Sequence, residues 1–313
     1  MIIAVTGGTG FIGRNLVLHH LALGDEVRVL SRRSPSSVRL PDSVKWYCGD
    51  LTSATGLESF VDQVDVLYHC AGEIRDEALM SALHVDGTRE LINAATGKIG
   101  RWVQLSSVGV YGFPQSGEIT EVSPQCPTGI YEITKKQSDD LVVEAGMGGA
   151  FDWAILRPSI VFGEQMANQS LFQMIKVIDK KMFFFIGRPG ASANYIHVDN
   201  VVYALSLCAS LPQAAGKFFN LSDYVTLEVF VGMIADALGK NRPCIRLPVI
   251  VTKEISRMGT LLSKRFPLTE SRINAMTTRV VYPTNSIQSV LGYSHKVSMI
   301  SGVTRLVRSW QTN

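Results

Sequence analysis

The first thirteen residues constrain the fold of this chain more than any other segment. The apolar run Ile2–Val5 leads into the glycine-rich segment Thr6–Gly13, and apolar residues at helical spacing follow. Glycines spaced three apart let the backbone turn tightly, let a pyrophosphate approach the main chain, and let the helix pack closely on the strand. The free N–H groups at the start of that helix attract negative charge. The segment therefore predicts a phosphate-binding turn, with contacts expected from Gly7, Thr9, Gly10, Phe11, Ile12 and Gly13.

Size, charge and cysteine content limit the classes of protein to which the chain can belong. Its 313 residues suffice for a large core, and 30 basic against 27 acidic residues leave a formal charge of only +3, so nothing calls for a nucleic-acid partner. Five cysteines without a CxxC pair indicate neither a disulfide framework nor a metal site. No basic leader precedes the first strand, and no run approaches the roughly 20 apolar residues of a membrane span. We therefore expect a soluble cytoplasmic protein with no membrane partner and no bound metal.

Short apolar runs alternate with helical patterns through the first half of the chain. The runs predicted as strands are Glu26–Leu30, Val44–Cys48, Asp65–His69, Arg101–Leu105 and Trp153–Leu156, and the segments of helical spacing are 10–23, 77–95 and 129–145. This alternation predicts an α/β fold, a Rossmann-like doubly wound parallel sheet covered on both faces.

After about residue 160 the pattern changes, with longer loops, the aromatic run Phe183–Phe185 and helices expected near 167–180, 198–210 and 226–238. We predict a dinucleotide-binding domain over residues 1–160. Residues 161–313 are expected to form mainly a smaller C-terminal α/β substrate lobe, called the second lobe below, with some strands and helices returning to the first domain.

The end of the second predicted strand bears on which cofactor is bound. An enzyme that uses NAD commonly has an acid here for the ribose 2′-hydroxyl, whereas one that uses NADP has a basic group for the 2′-phosphate. This strand ends in Ser31-Arg32-Arg33 with no acid, which favours NADP and leaves NAD as the alternative. The arginines of such a turn can also simply face water. At the next strand end, Asp50-Leu51 is positioned to contact an adenine, although Asp50 is equally suited to closing a turn.

The proposed catalytic residues are Ser107, Tyr131 and Lys135. Tyr131 and Lys135 are four apart, so on a helix they project from the same face, and Ser107 follows a predicted strand. Hydride transfer at a carbinol carbon needs proton transfer at its oxygen, and Tyr131 is the expected acid/base. Lowering a phenol pKa by about 3 units requires roughly 4 kcal/mol, which one ammonium about 4 Å away supplies at an effective dielectric constant near 20. We expect Lys135, helped by the positive charge of an oxidised nicotinamide, to have this effect. The alternative is an ordinary exposed helix pair.

Further motifs follow in a fixed order along the chain. They are Thr6–Gly13, Gly49–Leu51, His69–Gly72, Val85–Thr88, Ser106–Gly112, Tyr131–Lys135, Leu156–Pro158, Val161–Gly163, Tyr195–Val201, Phe219–Ser222, Thr226–Glu228, Leu291–Tyr293 and Trp310. With these motifs the chain resembles the extended short-chain dehydrogenase/reductase family, and in particular its NAD-dependent epimerase/dehydratase branch.

The resemblance implies roles for several residues. Catalysis would fall to Ser107, Tyr131 and Lys135, with Lys135 also holding the nicotinamide ribose. Further cofactor contacts would come from Cys70, Ala71, Gly72, Arg157, Pro158 and Ile160. The family uses no metal, so His69, His84 and His197 are expected to pack or to form hydrogen bonds, and His84 stands where the family usually has Asn. The helices of residues 77–95 and 129–145 would form a homodimer interface.

Departures from the family pattern narrow the reaction. Nucleotide-sugar 4,6-dehydratases have an Asp-Glu pair where this chain has Val108-Gly109, so elimination is disfavoured. An epimerase or a simple ketone/alcohol oxidoreductase remains, with a nucleotide-linked sugar as the expected substrate and Arg188 as a diphosphate contact. One alternative is an NADP-dependent hydroxysteroid- or flavonoid-type reductase, with an apolar pocket to which Met174, Met182 and Phe183–Phe185 would contribute. A non-catalytic dinucleotide sensor is another, although such proteins usually lose the Tyr/Lys pair.

Overall fold

The computed structural model describes residues 1–38, 40–114, 116–166, 168–262 and 268–312. Its strands are β1 (Ile2–Thr6), β2 (Glu26–Ser31), β3 (Lys45–Cys48), β4 (Val64–His69), β5 (Ile99–Leu105), β6 (Ser116–Glu118), β7 (Asp152–Pro158), β8 (Ile160–Phe162), β9 (Phe185–Ile186), β10 (Ser192–His197), β11 (Lys217–Leu221), β12 (Asp223–Thr226), β13 (Arg246–Leu247) and β14 (Arg279–Val281). Its α-helices are α1 (Phe11–Ala22), α2 (Leu57–Val61), α3 (Glu77–Ser81), α4 (Gly87–Ala95), α5 (Ile130–Met147), α6 (Ser170–Asp179), α7 (Val198–Ser210), α8 (Leu227–Ala237), α9 (Val249–Leu262), α10 (Glu270–Ala275), α11 (Asn285–Leu291) and α12 (Met299–Thr312). Across these ranges, no helix combines the length and the apolar content that crossing a membrane requires.

A seven-stranded parallel sheet forms the base of the fold. Its strand order is β11-β7-β5-β4-β1-β2-β3, and every neighbouring pair is parallel. The chain adds strands to one side of β1 and then to the other, so the carboxyl ends of β1 and β4 border the topological switch point where ligands bind in such sheets. The predicted Rossmann-like α/β fold is confirmed.

Both faces of this sheet are covered by helices, which explains why its strands are apolar runs without alternation. On β1, Ile3 and Val5 face the core shared with α1 and α7, whereas Ala4 faces the core shared with α4 and α5. The predicted continuous helix over residues 77–95 is interrupted by a π-helical turn, Ala82–Asp86, that joins α3 to α4. Strand β11 and helix α7 come from beyond residue 160 and yet pack in this first layer.

The second lobe has its own apolar core. Strand β10 pairs in parallel with β8 and antiparallel with β12, and the helices α6, α8 and α12 pack together beside this small sheet. Phe183 and Phe185 are buried in this core, with ring centroids 5.2 Å apart, whereas Met182 is exposed. Helix α6 corresponds to the helix expected near 167–180, of which residue 167 lies outside the described residues.

A buried ion pair fixes α5 on the sheet. The carboxylate of Asp139 accepts hydrogen bonds from the Arg157 guanidinium of β7, at 3.1 and 3.3 Å, and from the Ser106 hydroxyl at 2.7 Å. Both charged side chains are only 1% exposed. The Arg157 guanidinium also lies over the rings of Phe218 and Tyr111, at 4.4 and 5.3 Å. Because a buried charge without its partner is strongly destabilising, this pair restrains how α5 sits on the sheet.

Asp139→Asn should therefore destabilise the protein by about 3–5 kcal/mol, since it leaves the Arg157 charge buried without a counter-charge. Urea unfolding measures this loss. The neighbouring Asp140 is the matched control because its carboxylate is exposed and pairs with Lys136 one turn away, at 2.7 Å. Asp140→Asn should cost about 0.5 kcal/mol or less. Similar, small losses for the two variants would contradict the role given to the buried pair.

Candidate active site

The glycine-rich turn lies directly against the loop that follows β4. Gly7 has a positive φ of +68°, and a Cβ atom there would lie 2.6 Å from the Cys70 carbonyl oxygen. A Cβ atom at Gly13 would lie 2.3 Å from the Gly7 oxygen. At Gly10, by contrast, a Cβ atom would meet only the Gly7 oxygen, at 3.2 Å. The turn is therefore tightly packed toward the protein and open on its outer side.

The start of α1 suits an anion. Gly10 provides no side-chain cap, and the first turn of the helix has no acidic residue. The first intrahelical hydrogen bond of α1 runs from the Arg14 N–H to the Gly10 carbonyl, at 2.9 Å. The N–H groups before it point out of the helix start, toward the open side of the turn. The partly exposed residues Thr9, Phe11 and Ile12 belong to this turn. These features fit the pyrophosphate of a dinucleotide.

At the end of β2, an exposed arginine faces an aspartate. The guanidinium of Arg32 is 70% exposed and lies 4.0 Å from the Asp50 carboxylate. That carboxylate also accepts hydrogen bonds from the Thr52 N–H and hydroxyl, both at 2.9 Å, so Asp50 closes a turn. Leu51 is buried beneath it, and Ser31 is partly exposed at the strand end. Because an exposed pair of this kind is worth at most about 1 kcal/mol, Arg32 is free to bind a phosphate.

Helix α5 presents Tyr131 and Lys135 one turn apart on the same face. Lys135 is buried, and its ammonium donates a hydrogen bond to the Leu105 carbonyl oxygen at 2.7 Å. Leu105 is the last residue of β5. The lysine is thereby held at the carboxyl end of the sheet, the same edge that carries the glycine-rich turn.

Ser107 lies two residues beyond that strand end. Its backbone is extended, and its Oγ accepts the Gly109 N–H at 3.0 Å, which caps the short turn Val108–Tyr111. A Cβ atom at Gly109 would lie 3.3 Å from the Ser107 Oγ and 2.8 Å from the Glu132 Cγ. Glu132 follows Tyr131 in the first turn of α5, so Ser107 lies close to the start of this helix. The structure thus brings the three residues of the predicted catalytic group to one region.

The surroundings of the Tyr131 phenol raise its pKa. Burial, with smaller contributions from Glu132 and Asp139, raises the pKa of the Tyr131 phenol to about 12. Burial also lowers the pKa of Lys135, although Asp139 opposes this. The lowering expected from Lys135 together with the positive charge of an oxidised nicotinamide applies to the protein with its cofactor bound, and it stays a prediction. The phenol keeps its proton at neutral pH.

The three histidines singled out in the sequence form hydrogen bonds, as expected. The His69 ring bonds through Nδ1 to the Thr6 hydroxyl at 2.7 Å and through Nε2 to the Thr88 hydroxyl at 3.1 Å. His197 caps α7 by accepting the Asp199 N–H at 3.2 Å. His84 contacts the Thr134 hydroxyl of α5 at 2.8 Å. Within the described ranges, no group of three or more His, Cys, Asp or Glu residues is arranged to hold a metal ion.

The other residues expected at the cofactor differ in how accessible they are to a ligand. Cys70, Ala71 and Gly72 follow β4 beside the glycine-rich turn, with the Cys70 N–H donating to the Thr6 carbonyl at 3.2 Å. Pro158 ends β7, and Ile160 is half exposed just beyond it. The Arg157 side chain, however, is engaged with Asp139 and with the Tyr111 hydroxyl, and the whole residue is 1% exposed, so the expected contact of Arg157 with the cofactor has little surface available.

Two further hydroxyl groups at strand ends are not among the site residues that the sequence analysis predicts. Ser159 and Ser222 directly follow β7 and β11, and the Oγ of each is buried without a hydrogen-bond partner in the described protein. The sequence feature that could have identified them is a polar residue next to the carboxyl end of a sheet strand, where ligands bind in this fold.

Arg188, the expected diphosphate contact, lies apart from these strand ends. It is exposed in the loop after β9, and its carbonyl accepts a hydrogen bond from the Arg279 guanidinium at 2.9 Å.

Comparison with known proteins identifies the family. Residues 3–222 match the model of the NAD dependent epimerase/dehydratase family. Sterol demethylase protein B of Methylococcus capsulatus is 28% identical over 294 residues, which cover 90% of this chain and 88% of that protein. A 4-hydroxy-2-methyl-3-oxo-4-farnesyl-3,4-dihydroquinoline-1-oxide ketoreductase of Stigmatella aurantiaca is 26% identical. The match covers 96% of this chain and 94% of that protein.

Solved structures have the same fold. The UDP-glucuronic acid 4-epimerase of Bacillus cereus, in complex with NAD, superimposes with a TM-score of 0.78 at 19% identity, covering 100% of this chain and 99% of that one. The resemblance expected from the sequence motifs is confirmed, since the matching model spans well over half of the residues. The chain belongs to the NAD-dependent epimerase/dehydratase family.

Proposed function

We propose that this protein is an NAD(P)-dependent oxidoreductase that transfers a hydride at a carbinol or keto carbon, with Tyr131 as the acid/base. The observation that supports this most is that Tyr131 and the buried ammonium of Lys135 lie one turn apart on the same helix face, with Ser107 close to the start of that helix. A phenol that holds its proton at neutral pH is suited to donating it to an oxygen that becomes negative. We favour ketone reduction over epimerisation, which remains the alternative, because the exposed Arg32 suits a reductase that exchanges NADPH at each turnover.

In the proposed reaction, the residues of the chain handle the proton. A bound nicotinamide supplies the hydride. As the carbonyl carbon accepts it, Tyr131 gives its proton to the oxygen, and the product is an alcohol. The Ser107 Oγ accepts the Gly109 N–H, so its own hydrogen is free to bond the same oxygen. Lys135 uses one of its three donors on Leu105, which leaves two for the tyrosinate and for a ribose hydroxyl.

The dehydratase reaction stays disfavoured in this proposal. Elimination needs a carboxylic acid beside the reacting oxygen, and Val108 and Gly109 provide none. A side chain at residue 109 would also meet Glu132, whose Cγ lies 2.8 Å from the Cβ position.

Tyr131→Phe should lower kcat by about 100-fold or more, because it removes the general acid while leaving the ring in place. The assay follows oxidation of NADPH or NADH with two probe ketones, a UDP-linked 4-keto hexose and a 3-ketosteroid. Tyr224→Phe, a change at a more exposed tyrosine of β12, is the control and should leave kcat unchanged. Full activity of Tyr131→Phe would remove Tyr131 from the mechanism and reopen a sensor function.

We propose NADP as the preferred cofactor, with NAD as the alternative. Support comes from Arg32, whose exposed guanidinium lies 4.0 Å from the Asp50 carboxylate, its one ionic partner among the described residues, and from Ser31 in place of an acid at the end of β2. The family name and the solved relative with NAD favour the alternative.

Arg32→Ala should weaken NADPH binding by about tenfold or more, since an arginine–phosphate bond contributes about 1.5–3 kcal/mol, and should leave NADH binding unchanged. Arg33→Ala serves as the neighbouring control in the same fluorescence titration. Wild-type protein that binds NADH far more tightly than NADPH would refute the preference, as would an equal loss of both cofactors in Arg32→Ala.

We propose a nucleotide-linked sugar as the substrate, supported by Arg188 and by the solved UDP-glucuronic acid 4-epimerase of the same fold. A second candidate is a polycyclic or isoprenoid ketone, in line with the sterol and farnesyl-quinoline names of the two curated relatives. One contact pattern favours this second candidate. Arg246 and Arg279, near Arg188, already donate hydrogen bonds to Glu228 and to main-chain carbonyls, so the binding of a diphosphate would depend on Arg188.

Calorimetry with uridine diphosphate separates these substrates. If the nucleotide sugar is right, Arg188→Ala should weaken binding by about tenfold, the loss of one charge-assisted contact. Arg242→Ala, which removes another exposed arginine of the second lobe, should leave the affinity unchanged. No binding of uridine diphosphate, or binding that Arg188→Ala does not affect, would favour the apolar ketone.

A homodimer through α3, α4 and α5 is also part of the proposal. Support comes from the exposed apolar side chains of Leu79 on α3 and of Ile130 and Ile133 on α5. Light scattering tests it, and a monomer at micromolar concentration would exclude it.

A further inference from the structure

A buried histidine bridges the catalytic helix and the loop after β4. His84 is 1% exposed and lies in the π-helical turn Ala82–Asp86. Such turns are rare and occur frequently at functional sites. The Nε2 atom of His84 accepts the Glu73 N–H at 2.8 Å, and Nδ1 lies 2.8 Å from the Thr134 hydroxyl.

These two partners define one tautomer of the ring. A backbone N–H only donates, so Nε2 of His84 carries a lone pair. The Thr134 hydroxyl donates to the Ile130 carbonyl at 2.8 Å, so it accepts a hydrogen bond from Nδ1–H. Burial, with the charge of Lys135, lowers the pKa of His84 to about 4. The neutral Nδ1–H form therefore persists at neutral pH.

The Nε2 contact sets the orientation of a peptide group in the loop. In a trans peptide the N–H and C=O point in opposite directions, so an N–H of Glu73 that faces His84 turns the Gly72 carbonyl to the other side. The Glu73 carboxylate in turn accepts the N–H groups of Ile74 and Arg75, at 2.9 and 2.7 Å. The contacts of His84 and Glu73 thus hold one side of the loop from Cys70 to Gly72. The other side of this loop faces the glycine-rich turn.

The Nδ1 contact acts on the helix that carries Tyr131. Thr134 is three residues further along α5, and its hydroxyl lies 3.1 Å from the Tyr131 carbonyl. The His84 ring also meets the Tyr131 ring edge to face, with centroids 5.7 Å apart and an interplanar angle of 82°. This geometry is a favourable one for aromatic pairs and restricts sideways motion of the Tyr131 ring.

We propose that His84 is a positioning residue with two separable contacts, in which Nε2 sets the loop that lines the cofactor and Nδ1 sets the helix that carries the proton donor. This inference rests on the proposed function of Tyr131. It links cofactor affinity and proton transfer through one buried side chain.

Two substitutions separate the contacts. In His84→Asn the amide nitrogen falls near the position of Nδ1, which keeps the bond to Thr134 and loses the bond to Glu73. In His84→Gln the amide oxygen falls near Nε2, which keeps the bond to Glu73 and loses the bond to Thr134. His20→Asn is the matched control. His20 is equally buried and bonds through both nitrogens, to Asp25 at 2.7 Å and Tyr68 at 2.9 Å, at the end of α1.

The readouts are the NADPH dissociation constant and kcat on whichever of the two probe ketones is reduced. We expect His84→Asn to weaken NADPH binding by about tenfold with kcat within about threefold of wild type, and His84→Gln to show the reverse, since each loses one buried hydrogen bond. His20→Asn should change neither quantity.

Equal effects of His84→Asn and His84→Gln on both quantities, or a change in thermal midpoint alone, would overturn the inference and leave the proposed function standing. Wild-type protein that binds neither NADPH nor NADH would overturn both.

Discussion

The buried ammonium of Lys135, held on the Leu105 carbonyl at the end of β5, is the interaction on which the rest of the site depends. A buried charge is stable only when it is hydrogen-bonded and balanced, and Asp139, one turn further along α5, provides the balance. Asp139 is itself paired with Arg157 of β7. One line of charges therefore runs from the sheet through α5 to the edge where ligands bind, and it fixes the helix that carries Tyr131.

The same ammonium also affects the pKa of its neighbours. Burial, with a smaller contribution from this ammonium, lowers the pKa of both His69 and His84, which favours the neutral rings. Neutral rings can accept as well as donate hydrogen bonds, which lets each histidine join two elements. The buried polar contacts around Thr6, Thr88 and Thr134 thus use neutral histidine rings. Lys135 and these two buried histidines are parts of one electrostatic arrangement.

The sequence predicts well those features that depend on residues close together in the chain, such as the strands and the glycine-rich turn. Apolar runs placed the strands within about two residues, because strands buried on both faces leave an unbroken signal. The glycine-rich turn was readable since Gly7 and Gly13 leave no space for a side chain. The pKa of Tyr131 and the partner of Arg157 could not be predicted, because both depend on burial and on residues brought close by the fold. Asp50 shows the same limit, since one short motif suits both an adenine contact and a turn.

The measurement that tests the account most directly is the ionisation of Tyr131, followed as the ultraviolet difference between wild type and Tyr131→Phe. The account predicts a phenol pKa near 12 in the protein alone. It also predicts that saturation with NADP+ lowers this pKa by about one unit or more, because the positive nicotinamide then lies close to the phenol. An ionisation near the ordinary value of about 10 that does not respond to NADP+ or NAD+ would contradict the central proposal that Tyr131 lies beside the cofactor.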